Sequence, residues 1–90
     1  MKDSGTFQVV EGPGRHELRK GDELIGVSDF IVCDGVAMLP HVEIDPAYEG
    51  QGLGSRLVRE QLAELKAKGL TIDARCPFVV SYLRRHPDEA

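Results

Sequence analysis

Three glycines at alternate positions, Gly50, Gly52 and Gly54, stand immediately before a run of helical periodicity. Glycine permits positive φ and lets a bulky group approach the backbone. Successive free N–H groups at a helix start attract anions. The segment Glu49-Gly50-Gln51-Gly52-Leu53-Gly54-Ser55 therefore reads as a cradle for a phosphate or pyrophosphate, with a ligand-free Gly-rich turn as the competing reading. No Gly-Lys-Ser/Thr follows, against a P-loop. The spacing is also not the Gly-x-Gly-x-x-Gly of a dinucleotide fold.

Four further residues could do chemistry. Cys76 precedes Pro77, a residue suited to the first helical position. A thiol at a helix N-terminus favours the thiolate, so Cys76 is a candidate nucleophile; the alternative is a small buried apolar residue. His41 is a candidate general base. The alternative for His41 is a strand histidine hydrogen-bonded to its neighbours. Glu43 shares its strand face by alternation and could orient it or relay a proton through water, with simple exposure as the alternative. Tyr82 lies on the helix after Cys76, where core packing competes with a catalytic role. Cys33, Cys76, His16, His41 and His86 show no metal-ligand spacing, so no metal is expected.

The elements that must position these residues follow from pattern. Phe7 to Val10 is a short apolar run closed by Gly12-Pro13-Gly14. His16 to Lys20, Glu23 to Cys33 and Val36 to Asp45 read as three strands joined at Gly21-Asp22 and Asp34-Gly35, an antiparallel meander. Pro40 interrupts pairing in the last of them, because proline donates no ladder hydrogen bond. Leu53, Leu57, Val58, Leu62 and Leu65 share one face of a long helix, with Glu64 and Lys68 as an i,i+4 pair and Gly69 as its stop. Leu70 to Arg75 is a strand, and Pro77 to about Arg85 a short helix. Strand, helix, strand implies a right-handed crossover with parallel strands. The fold class is α+β, one domain over residues 1–90, with four or five strands in one mixed sheet and residues 1–5 disordered.

The glycine loop resembles the pyrophosphate loop of GNAT acetyltransferases, written Gln/Arg-x-x-Gly-x-Gly/Ala. Gly52 and Gly54 match its two small positions, and Glu49 departs from the first. His41-Val42-Glu43-Ile44 before the loop, and Cys76-Pro77-Phe78-Val79, Tyr82 and His86-Pro87 after it, are similar to the short single-domain subgroup called YjdJ-type. The resemblance covers roughly residues 15–88. It implies a truncated GNAT-like fold, in which the meander joins through a β-α-β crossover to a final parallel strand and a short C-terminal helix.

The resemblance also implies acetyl-CoA as co-substrate. It would lie between two splayed parallel strands, its pantetheine arm on the backbone of Val42, Glu43 and Ile44 and its pyrophosphate on Gly50 to Ser55. Cys76 would stand near the thioester as acetyl carrier or pocket lining, and Tyr82 would protonate the departing thiolate. Arg84, Arg85 and His86 could meet the adenosine 3′-phosphate, with a solvated charged helix end as the default. The N-terminal helices that wall off the acceptor in larger members have no counterpart. The implied activity is N-acetyl transfer to an amine, a small molecule or a protein lysine, with a non-catalytic acyl-CoA-binding module as the alternative.

Composition narrows the classes. The formal net charge of -4 argues against nucleic acid or an anionic membrane as partner. The imbalance is local: four Lys/Arg stand against nine Asp/Glu in residues 1–45, and seven against six in residues 46–90. An anion is better hosted by the second half, a cationic amine by the first. Two distant cysteines, no signal-peptide pattern and no long apolar stretch suit a cytoplasmic protein. A monomer or weak dimer is expected.

Overall fold

The computed structural model describes residues 6–89; the disorder expected for residues 1–5 lies outside them. The meander forms as the pattern requires. Strands β1 (Phe7–Gly12), β2 (Arg15–Lys20) and β3 (Glu23–Asp29) pair antiparallel around the Pro13-Gly14 and Gly21-Asp22 turns. Two expected strands are each broken in two. Glu23 to Cys33 divides at Phe30 into β3 and β4 (Ile31–Cys33), and Val36 to Asp45 divides at Pro40-His41 into β5 (Val36–Leu39) and β6 (Val42–Ile44). The expected single mixed sheet is therefore two sheets, ordered β1-β2-β3-β6 and β4-β5-β7, where β7 is Thr71–Ala74.

Pro40 explains the split. Strands β5 and β7 run parallel from Val36↔Thr71 to Leu39↔Ala74. The N–H groups of Arg75 and Cys76 both donate to the Leu39 carbonyl, at 3.1 and 3.0 Å. Pro40 offers no N–H for the next rung. The His41 carbonyl instead accepts from Asp29 at 2.9 Å, and β6 continues antiparallel to β3. The chain thus changes sheets at Pro40, and β6 and β7 end as the edge strands of different sheets.

Helix α1 (Leu53–Ala67) closes both sheets with one apolar stripe, the one its 3.6-residue period marks out. Leu53 and Leu57 pack with Leu18 and Ile25 of the first sheet. Val58, Leu62 and Leu65 pack with Ala37 and Leu39 of the second and with Val79 and Tyr82 of α2 (Pro77–Arg85). Gly69 and Leu70 end α1 by donating to the carbonyls of Lys66 and Leu65, at 2.9 and 3.2 Å, a Schellman closure. The expected Glu64–Lys68 pair does not form. Lys68 binds both carboxylate oxygens of Glu11 at 2.8 and 2.9 Å, because β1 runs alongside the helix end. No helix among the described residues is long and apolar enough to cross a membrane.

Candidate functional site

The sheet change opens a cavity of about 330 Å³ bounded by β6, the glycine loop, the start of α1 and the start of α2. Val42 and Ile44 face it from β6, and Glu49, Gly50, Gly52, Leu53, Gly54 and Ser55 line it from the loop and helix. Eight of the ten residues assigned to cofactor contact from the sequence thus meet at one cavity; Glu43 and Gln51 do not line it.

The loop is built to present backbone. Asp45 caps a short 3-10 turn (Pro46–Tyr48) by accepting from the Ala47 N–H at 2.9 Å. Gly52 is the N-cap of α1 at φ 75, a left-handed conformation costly for any side chain, and supplies no capping group of its own. The first helical bond runs from the Arg56 N–H to the Gly52 carbonyl at 3.1 Å. The N–H groups of Leu53, Gly54 and Ser55 therefore lack helical partners. The first turn carries no acidic residue to compete for them. A pyrophosphate fits this donor set on charge, hydrogen bonding and the helix dipole together.

Two lining residues lie outside the set read from sequence. Phe78 contributes an aromatic wall from the first turn of α2 and is 39% exposed. Tyr48 contributes a second, its hydroxyl donating to Glu23 at 3.2 Å. The Pro77-Phe78 step was the available signal for the first. A lone Tyr before the loop gave none for the second.

His41 and Glu43 come together as alternation predicts, with Nε2 3.1 Å from Oε1. Both are exposed; Glu43 is on the face of β6 opposite Val42 and Ile44, with His41 just before the strand, and Glu43 borders a groove with Leu24, Val27 and Asp45. Cys76 is the N-cap of α2, as expected, but it is only 7% exposed and packs in the core around Leu39, Val58 and Val79. Tyr82 is 2% exposed, and its hydroxyl donates to Glu89 Oε1 at 2.6 Å, away from the residues that line the cavity. Burial, reinforced by Glu89, pushes its pKa up to about 12. Its surroundings are those of the core-packing alternative. Arg84 and Arg85 do not line the cavity either; Arg85 donates to Ser81 and His86 stacks on Tyr82.

A separate cluster joins Glu11, His16 and Glu64, with one ligand atom each within 4.8 Å. Its donor set fits a cation poorly. Lys68 already binds the Glu11 carboxylate. The Gln61 amide nitrogen lies 3.1 Å from His16 Nδ1; an amide nitrogen can only donate, and with Nδ1 accepting, the ring proton falls to Nε2, making it a donor rather than a ligand.

Residues 15–90 match the family model described as GCN5-related N-acetyl-transferase. The fold superposes on the ribosomal-protein-S18-alanine N-acetyltransferase from Escherichia coli with a TM-score of 0.69 at 19% identity, covering 84% of this chain and 54% of that one. A GNAT-family acetyltransferase from Streptococcus pneumoniae TIGR4 gives 0.59 at 23% identity, with 81% and 58% covered. A Deinococcus radiodurans R1 protein assigned as an acetyltransferase gives 0.61 at 31% identity, with 79% and 51% covered. The chain spans a little over half the length of these solved proteins. No curated protein matches the chain.

Proposed function

The chain belongs to the GCN5-related N-acetyl-transferase family, and from that premise we propose that it moves an acetyl group from acetyl-CoA to the nitrogen of an amine. The observation that carries the reading is the coincidence of the cavity with unpartnered N–H groups at the start of α1 and with the free edge of β6. The pyrophosphate binds the N–H groups of the loop and of Leu53, Gly54 and Ser55. The free edge of β6 offers N–H and C=O groups to the amide-rich pantetheine arm, as a further strand would. Phe78 and Ile44 supply apolar walls.

Transfer follows from the placement of β6 between its two faces. The amine lone pair attacks the thioester carbon, the C–N bond forms, the C–S bond breaks, and the sulfur leaves as thiolate. His41, on the far side of β6 from the cavity, accepts the amine proton through water at the edge of the strand, and Glu43 at 3.1 Å stabilises the imidazolium that results. Tyr82, engaged by Glu89, is assigned to the core, and solvent protonates the thiolate. The transfer is direct, with Cys76 packed beside the strand gap rather than carrying the acetyl group. The acceptor is an amine that reaches the exposed His41–Glu43 face.

Calorimetric titration with acetyl-CoA, with ADP for comparison, tests the cradle. Saturable one-site binding supports it, and absence of binding at millimolar ligand overturns it. Binding without turnover across a panel of amines would leave the non-catalytic module as the reading.

A further inference from the structure

His16, Ser28 and Gln61 are the buried polar side chains among the described residues, each 0% exposed. They form one network. Gln61 Nε2 donates to the Ser28 carbonyl at 2.9 Å and to His16 Nδ1 at 3.1 Å, while Ser28 Oγ donates to Gln61 Oε1 at 2.5 Å. His16, Ser28 and Val42 are register partners in a row across β2, β3 and β6. Gln61 sits on α1, two turns beyond the N–H groups of the cradle. The network therefore ties the helix that carries the cradle to the strand row that carries the other wall of the same cavity.

We propose that Gln61 is a positioning residue for the cofactor cavity, and that protonation of His16 releases it, so that acetyl-CoA binding weakens in mild acid. The claim rests on the acetyl-CoA reading above. Both hydrogens of the Gln61 amide are in use, so a proton on Nδ1 would set donor against donor. Turning the amide over would relieve His16 but bring Oε1 against the Ser28 carbonyl oxygen. No amide orientation satisfies both strands once His16 is charged. A charged ring set donor against donor with the Gln61 amide weakens this polar tie between helix and sheet.

The groups facing His16 pull in both directions. Glu64 of α1 lies 3.8 Å from Nε2, and Glu11 of β1 is its register partner; both favour the charged ring. Burial and Lys68 oppose it, and burial prevails, holding the pKa below the ordinary histidine value. Phe30 packs on the ring, with centroids 5.2 Å apart, and offers no acceptor. Nε2 itself is buried without a hydrogen-bond partner.

The test is acetyl-CoA affinity between about pH 8 and about pH 5, with circular dichroism confirming the fold at each point. Wild type loses about twofold or more across this range, the loss confined to its acid end because burial holds His16 below the ordinary histidine value. His16→Asn, whose Oδ1 can accept from Gln61 but does not titrate, binds as wild type at the alkaline end and keeps its affinity in acid. Since His41 and His86 remain in that variant, an acid loss equal to that of wild type would overturn the proposal. A second readout covers a variant that fails to fold. In wild type, the ¹⁵N resonances of His16 report the Nε2–H tautomer, and the Leu53, Gly54 and Ser55 amide shifts move with the His16 titration. A ring protonated on Nδ1, or cradle amides indifferent to His16, would overturn it. Absence of binding at every pH would sink the cofactor reading instead, and the amide shifts would still decide whether His16 and Gln61 position the cradle.

Discussion

A methyl group placed on Gly54 would stand 2.7 Å from the tip of the Phe78 ring. No such approach is tolerable, so the start of α1 and the start of α2 come this close only because position 54 has no side chain. Phe78 is also a wall of the cavity. Gly54→Ala therefore swings the ring, and acetyl-CoA affinity falls about tenfold. Phe78→Ala also weakens binding, by about 1 kcal/mol, since the ring face is a large apolar contact area. Calorimetry on both variants and on the double variant checks this. If the two losses add fully in the double variant, they do not act through one contact.

Gly52 separates backbone strain from ligand contact. Its φ of 75 disfavours any side chain, yet an added Cβ would meet nothing within 4 Å. Gly52→Ala should cost about 1–2 kcal/mol of stability from the left-handed backbone alone. Urea unfolding without ligand reads that cost. Acetyl-CoA added in excess should restore less stability to the variant than to wild type if the Gly52 backbone also approaches the pyrophosphate. Equal rescue would place the ligand elsewhere.

His41→Ala should lower kcat at least about a hundredfold while leaving acetyl-CoA affinity within about twofold, because general-base assistance is lost and the cavity lies on the other face of β6. Glu43→Gln should give a smaller loss of kcat. Steady-state kinetics with a saturating amine, paired with calorimetry, separates the effects. Unchanged turnover in both variants would remove the dyad from the mechanism.

The loop and helix that bound the cavity were more legible than the sheets. The glycine loop announced itself because glycine at positions of positive φ or close approach leaves few alternatives, and the α1 stripe followed from leucine spacing. The change of sheet did not, although Pro40 flagged it. Two apolar runs, Glu23 to Cys33 and Val36 to Asp45, read as continuous strands, since alternation marks faces without saying which neighbour pairs. Lys68 chose Glu11 over Glu64 for a similar reason: local spacing proposes a partner, and tertiary approach supplies another. His16, Ser28 and Gln61 carried no local signal at all, because their meaning lies in one cross-sheet row meeting one helix face.

Cys76→Ala distinguishes the two routes for the acetyl group. The thiol packs among Leu39, Val58 and Val79, so its removal leaves a small void and costs about 1 kcal/mol of stability. Direct transfer predicts kcat within a few-fold of wild type. A loss of about a hundredfold or more at full acetyl-CoA affinity, or an acetylated cysteine trapped in intact-mass spectra without acceptor, would instead establish the covalent route.

Two buried groups make stability depend on pH, with opposite signs. His16 has a folded pKa below the unfolded value of 6.5, so its contribution is present above that value and is lost as pH falls through the folded pKa. Tyr82 has a folded pKa of about 12 against 10.0 unfolded, so its contribution is present below pH 10.0 and is lost as pH rises toward about 12. The neutral Tyr82 hydroxyl donates to Glu89, and a phenolate there would face that carboxylate. Chemical denaturation across the range should give a stability plateau bounded on both sides. His16→Asn should reduce the acid fall but leave the part due to Glu11 and Glu17, whose pKa values Lys68 and Arg19 hold low, and Tyr82→Phe should reduce the alkaline fall. If Tyr82→Phe leaves the alkaline fall unchanged, another group sets that limit, and the Tyr82–Glu89 contact contributes little to holding α2 on the core.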